Sequence, residues 1–265
     1  MSKKLDCTIE LKRYRETIEK YLDITLPPAN TEPKLLHRAM RYSVFSGGKR
    51  LRPLLVLVVG GMLKIEKEKL LPVACGIELI HNFSLIHDDL PAMDNDDFRR
   101  GKKTCHKKFS EAVAILAGDA LLTLGLKLVG ETGNVPLIKA TADAIGSEGM
   151  AGGQVFDIMY KNKKISGTLK KNIDIMKTGK LFQLCFSAPL FFKRFDKKIQ
   201  TKMLNISSNF GLAFQIRDDM EDGEGNVEVL KRSLSLLYKE MKNDIAFFGE
   251  KGALLSYIVE NLYKF

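Results

Sequence analysis

The apolar stretch Ile77-Glu78-Leu79-Ile80-His81-Asn82-Phe83-Ser84-Leu85-Ile86 runs directly into His87-Asp88-Asp89-Leu90-Pro91-Ala92-Met93-Asp94-Asn95-Asp96-Asp97. The first part reads as a buried helix. The second places five carboxylates in ten residues, Asp88 to Asp97, which repel one another unless water or cations neutralise them. All-oxygen donors suit Mg²⁺, which is commonly held by one or two carboxylates together with water and phosphate oxygens. A solvated acidic loop accounts for the same residues. On a continuous helix Asp94 would lie about 240° round from Asp88. Pro91 predicts instead that the helix ends near Leu90 and the chain turns back to present Asp94.

A second acidic run, Gln215-Ile216-Arg217-Asp218-Asp219-Met220-Glu221-Asp222, follows the apolar stretch Phe210 to Phe214. Here helical spacing puts Asp218 and Asp222 about 40° apart on one face, with Asp219 flanking them. Two such helix ends in one chain suggest two metal-binding walls of a single cavity, with an anion completing the coordination.

Basic groups accompany them. Gly47-Gly48-Lys49-Arg50-Leu51-Arg52-Pro53 joins a glycine pair, a helix start and three cations, a combination suited to a diphosphate and equally readable as a plain basic helix start. It is not a Walker A loop, because the G-x-x-x-x-G-K-[ST] spacing is absent. Arg99-Arg100-Gly101 and Lys177-Thr178-Gly179-Lys180 form two further clusters.

The whole chain fits that reading. Its 265 residues are 45% hydrophobic with a net charge of +10, which excludes a disordered chain and favours anionic partners. Helical periodicity recurs while alternating strand patterns are scarce, so the expected class is all-α, a helical bundle forming a single domain over 1–265. Expected helices cover Lys34–Phe45, a segment from about Leu51 stopped by Gly60-Gly61, Leu70–Leu90, Ser110–Val129, Leu137–Lys161, Lys170–Phe192, Lys197–Asp222, Val227–Phe248 and Lys251–Tyr263. Leu51–Leu63 is too short to span a bilayer, and Ala112–Val129 carries Asp119 and Lys127. Both are therefore expected to be buried helices, with no stable membrane anchor. Cys7, Cys75, Cys105 and Cys185 stand far apart without zinc-ligand spacing, and the N-terminus lacks a signal-peptide pattern, so a reduced cytoplasmic chain is expected.

At this point a family resemblance becomes specific. The stretch His81 to Gly101 closely resembles the first Asp-rich motif of trans-isoprenyl diphosphate synthases, in the short-chain bacterial form with its Pro-Ala insertion. Phe214 to Asp222 is similar to the second motif. Gly47 to Pro53, Thr104-Cys105-His106, Leu116 to Leu122, Gly152-Gly153-Gln154 and Lys177-Thr178-Gly179 match in order, so the resemblance spans about Lys34 to Asp222.

The resemblance implies an isoprenoid synthase fold around a central cavity, a homodimer, and a reaction in which an allylic diphosphate ionises and is attacked by isopentenyl diphosphate. It assigns Asp88, Asp89, Asp94, Asp218, Asp219 and Asp222 to a Mg²⁺ cluster. Arg99 and Lys177 would contact the allylic diphosphate, with Thr178 and Gln215 near the reacting carbon. Gly48, Lys49, Arg52, His81 and Arg100 would hold isopentenyl diphosphate. Phe83, beside Ser84 and five residues before Asp88, stands where the family places an aromatic when elongation stops at fifteen carbons, implying farnesyl diphosphate as product. Geranyl or geranylgeranyl diphosphate would be the alternatives. Phe83 also reads simply as core.

One region departs from the family. After Asp222 the pattern continues through a lysine-bearing loop and a Tyr-Pro helix, whereas this chain reads Gly223-Glu224-Gly225-Asn226 and starts a new helix. Lys231 is the nearest basic residue that could take the missing lysine's place. The departure keeps open a non-catalytic regulatory subunit of a prenyltransferase heteromer. A terpene cyclase would not need the Gly47–Arg52 and His81 groups. Nucleic-acid binding, which charge alone suggests, leaves the acidic motifs unexplained, so no nucleic acid is expected as partner.

Overall fold

A computed structural model describes residues 3–161, 163–221, 223, 225 and 226–263. Those residues are all-α apart from one hairpin of two two-residue strands. In chain order the elements are α1 Lys3–Thr25, α2 Lys34–Val44, α3 Leu51–Met62, α4 Lys67–Asp88, β1 Phe98–Arg99, β2 Lys102–Lys103, α5 Cys105–Lys108 and α6 Glu111–Gly130. There follow α7 Val135–Ile145, α8 Met150–Tyr160, α9 Gly167–Asp174, a π-helical turn Ile175–Gly179, α10 Lys180–Ser187, α11 Lys197–Glu221, α12 Val227–Ala246 and α13 Ala253–Tyr263. The chain divides into two compact units, one of 12–54 and 68–133, the other of 1–11, 55–67 and 134–265.

In the first unit, Ile18, Leu22 and Leu26 are wholly buried at helical spacing, as are Leu70, Ile77, Leu79 and Ile80 on α4. Two in-helix glycines let α4 and α6 meet backbone to backbone: a Cβ on Gly76 would stand 2.7 Å from the Gly125 carbonyl oxygen, and one on Gly125 would stand 2.7 Å from that of Gly76. Helix propensity alone disfavours glycine there by about 1 kcal/mol. Close packing accounts for both. Ser110 caps α6 by accepting from the Val113 amide at 3.2 Å. The expectation of a fully buried α6 holds only in part, because the helix packs on α2 and α5 and leaves Ile115 and Leu116 at 44% and 58% exposure. By length and composition α4 and α6 could each cross a membrane, yet 61% of the apolar window of α4 and 39% of that of α6 is already buried in the protein.

The second unit is organised around α10 and α11. Phe182 meets Phe210 and Phe214 at centroid separations of 5.3 and 4.8 Å, and Phe186 meets Phe210 at 5.3 Å. Such rings contribute beyond their buried area. Two expected helices divide differently from the sequence reading. The segment 137–161 breaks at Gly146–Gly149, where a Cβ on Gly149 would stand 2.3 Å from the Ala144 carbonyl oxygen. The segment 170–192 changes pitch through the π turn and then a 3₁₀ turn, Ala188–Phe192. Gly60 and Gly61 do not stop α3, which runs to Met62. The four cysteines form no disulfide.

Candidate active site

The first acidic motif sits where α4 ends, at Asp88. The chain then doubles back: the Asp94 amide donates to the Asp88 carbonyl at 2.9 Å, Asn95 to Leu90 at 3.1 Å and Asp96 to Asp89 at 3.2 Å. Asn95 adopts φ 58°, a left-handed conformation that asparagine tolerates better than other side chains. Pro91 thus produces the predicted reversal. Asp88 and Asp94, both half-buried, lie on adjacent parts of one turn. Asp89 is different. It is 3% exposed and receives Arg99 Nε at 2.7 Å and Nη2 at 2.6 Å. Burial pushes its carboxyl pKa up, and the Arg99 guanidinium opposes that rise.

The hairpin after the motif turns through Arg100 and Gly101, at φ 52° and 73°, the left-handed pair that tight hairpins require. It brings Arg100 onto the glycine loop, where Nη1 donates to the Gly47 carbonyl. A Cβ on Gly48 would stand 2.6 Å from the same nitrogen. Close by, Arg52 Nη1 lies 3.0 Å from His81 Nε2. Gly48, Arg52, His81 and Arg100, which the sequence reading grouped, are therefore brought together around one loop, with Lys49 exposed beside them. Desolvation, then Arg52 and Arg100, hold His81 well below the usual imidazole pKa. His81 is thus neutral, and its Nε2 accepts from Arg52. Desolvation and the positive charges of Arg50 and Arg99 also pull Arg100 below its ordinary value against the attraction of Glu78. A dense positive patch of this kind is relieved by an anion.

Phe83 stacks edge-on to His87 at 4.8 Å, and His87 Nε2 lies 3.1 Å from the Ile115 carbonyl oxygen. The Ser84 hydroxyl donates to the His81 carbonyl at 3.0 Å.

In the other unit, the second motif occupies the C-terminal turn of α11. Gln215 donates to Asp219 at 3.1 Å, and Lys170 Nζ lies 3.4 Å from the same carboxylate oxygen. Arg217 turns elsewhere, to Glu221 at 2.9 Å and to the Asn261 carbonyl at 3.3 Å. Asp218 is half-buried, and the expected ligand Asp222 lies outside the described residues. Lys177 and Thr178 are held in the π turn, a feature frequent at functional sites. Lys177 Nζ contacts Asp157 Oδ2 at 2.6 Å. The backbone of the turn is pressed against α8, since a Cβ on Gly153 would stand 2.3 Å from the Lys177 nitrogen. A recess beside it is lined by Gly179, Ser207, Gly211 and Gln215.

Both acidic motifs share one electrostatic property. Each ends a long helix, where the macrodipole is negative and carboxylates are disfavoured unless a cation neutralises them. Among the described residues no three acidic, histidine or cysteine side chains converge as a self-sufficient metal cage. One or two carboxylates completed by phosphate oxygens is the arrangement Mg²⁺ favours, so the donors fit that ion. Sequence reasoning missed Lys170, Asp157 and the inward turn of Arg50. Lys231, the expected substitute cation, is exposed on α12, and Lys170 stands beside the second motif.

Comparison with known proteins gives the class. The polyprenyl synthetase family profile matches residues 33–242. A farnesyl diphosphate synthase of Bacillus subtilis is 42% identical over 223 residues, covering 81% of this chain and 75% of its own. One from Geobacillus stearothermophilus is 46% identical over 204 residues, covering 74% and 69%. The crystal structure of a geranyltransferase from Legionella pneumophila superposes with a TM-score of 0.93 at 31% identity, over 99% of this chain and 98% of that one. The chain belongs to the polyprenyl synthetase family.

Proposed function

We propose that the protein is a magnesium-dependent prenyltransferase that joins isopentenyl diphosphate head to tail with dimethylallyl or geranyl diphosphate, giving farnesyl diphosphate and diphosphate. The observation that carries this reading is the placement of two carboxylate clusters at helix C-termini in a chain that also gathers Arg52, Arg100 and neutral His81 on a glycine loop. Asp88 and Asp94 from the first motif, and Asp218, Asp219 and Asp222 from the second, are the proposed magnesium ligands. Asp89 acts through Arg99, which it orients. Bound magnesium would stabilise negative charge on the leaving diphosphate.

Lys177 and Arg99 are the direct cations for the allylic diphosphate. Thr178 and Gln215 line the reacting end, and the allylic C–O bond breaks as the leaving group gains charge. Gly48, Lys49, Arg52, His81 and Arg100 hold the isopentenyl partner, whose double bond supplies the electron pair for the new C–C bond. The proton then lost passes to the released diphosphate. Phe83, with Ser84 beside it, closes the hydrocarbon end and sets the fifteen-carbon product. The exposed apolar residues Ile115 and Leu116 on α6 support a homodimer through that helix, since contiguous exposed apolar surface marks association sites.

Incubation of the purified protein with magnesium, labelled isopentenyl diphosphate and geranyl diphosphate tests the reading. Label should enter an acid-labile product, and EDTA should abolish it. Absence of incorporation by a folded protein would instead favour the regulatory-subunit alternative, to which the Gly223–Asn226 departure points.

A further inference from the structure

Arg50 stands between Lys49 and Arg52, in the run proposed to hold isopentenyl diphosphate, yet only 3% of it is exposed. Its guanidinium is consumed by protein acceptors. Nε donates to Glu19 at 2.7 Å, Nη1 to Glu78 at 3.0 Å and Nη2 to the Val44 carbonyl at 2.6 Å. A longer contact, 3.5 Å, runs from Nη1 to the Gly47 carbonyl. One side chain thereby ties α1, the end of α2, the glycine loop and α4 together.

The backbone of Arg50 is strained in the same place. It adopts φ 51°, after Gly47 and Gly48 at 110° and 129°. Glycine occupies such conformations freely, whereas an arginine there is disfavoured by roughly 1–2 kcal/mol. A buried fork with charged acceptors on both sides is strong enough to impose that conformation. Its buried partner, Glu78, is 2% exposed and lies three residues before His81 on α4. Burial pushes the Glu78 carboxyl pKa up, and Arg50 then Arg52 oppose that rise. Arg50–Glu78 and Arg52–His81 are thus two successive rungs joining the loop to one face of α4.

We propose that Arg50 is the positioning residue of the isopentenyl diphosphate site: it meets no phosphate, and its fork into Glu19 and Glu78 fixes the loop that sets Gly48 against Arg100 and Arg52 against His81. The inference rests on the function proposed above. Lysine cannot reproduce a fork to four acceptors, so Arg50→Lys keeps the charge and loses the geometry. Glu19→Gln is the gentler variant, because it leaves the Glu78 contact in place.

The test compares wild type, Arg50→Lys and Glu19→Gln by steady-state kinetics with both substrates varied, by thermal melting, and by calorimetric titration of isopentenyl diphosphate. Arg50→Lys should raise the KM and Kd for isopentenyl diphosphate about tenfold, leaving kcat and the allylic KM within about twofold. Glu19→Gln should shift the same constants in the same direction by less. A merely stabilising role predicts a lowered melting temperature with both substrates unaffected, or affected together. Either pattern overturns the proposal. If Arg50→Lys does not fold, Glu19→Gln decides alone, and an unchanged isopentenyl Kd there overturns it. Wild type that binds no isopentenyl diphosphate would overturn this inference together with the function on which it rests, whereas binding by wild type with no change in the variants would overturn this inference alone.

Discussion

A Cβ on Gly118 would stand 2.3 Å from Nε2 of His87, so α6 admits the imidazole only because it carries no side chain there. The same imidazole packs on Phe83 and meets the Ile115 carbonyl. Gly118→Ala should expel the ring, with an overpacking cost of roughly 2 kcal/mol. In a chain of this size that is a fall of about 4–8 °C in Tm, which a thermal melt would read. An unchanged Tm would mean that His87 has another place to go.

Phe83 bears on product length. If its ring limits the hydrocarbon end, Phe83→Ala should move the product from fifteen carbons toward twenty, visible by chromatography after dephosphorylation. A fifteen-carbon product from the variant would return Phe83 to the role of a core residue.

The acidic motif itself separates two kinds of aspartate. Asp88 and Asp94 lie on the reversed turn, whereas Asp97 is paired with Lys107 at 2.8 Å. Replacing Asp88 or Asp94 by Ala should lower kcat by about 10²–10³-fold, the scale of losing a group that stabilises transition-state charge. Asp97→Ala should stay within about twofold. Equal losses at all three positions would contradict the assignment.

How much of this was legible beforehand depended on the range of the forces involved. The reversal at Pro91 was readable because a proline acts on its own segment, and the amide of Asp94 does reach Asp88. The break at Gly146–Gly149 was not, since the apolar spacing continues across it and only the carbonyl of Ala144 against Gly149 reveals it. The π turn was equally hidden, for it accompanies the pressing of Gly153 on the Lys177 backbone. Arg50 looked like a third phosphate cation because Glu19 and Glu78 are 31 and 28 residues away. Lys170 carried no signal at all until the fold brought it to Asp219.

That last contact is testable with metal alone. Lys170 partly neutralises Asp219, so Lys170→Ala should tighten manganese binding, read by magnetic resonance titration, about two- to fivefold. This is the size expected of a half-exposed ion pair. Weaker manganese binding would contradict the competition.

His81 supplies a pH test. Burial and the neighbouring arginines hold its folded pKa well below the ordinary imidazole value of 6.5, so as pH falls the unfolded chain takes up this proton first. Stability from this residue is level above pH 6.5 and declines as pH drops from there toward the folded value. Unfolding measured in denaturant should show that decline, and His81→Asn should flatten it. An imidazole resonance of His81 that titrates near 6.5 would contradict the neutral assignment.

The proposed prenyltransfer rests on two carboxylate motifs and their cations. Its most direct measurement is chromatography of dephosphorylated products after incubation with magnesium, isopentenyl diphosphate and either dimethylallyl or geranyl diphosphate. Farnesol is expected from both starters with the wild-type protein, and at least about a hundredfold less from Asp88→Ala or Asp218→Ala. Folded wild-type protein that yields no prenyl alcohol from either starter, or variants that yield farnesol undiminished, would contradict it.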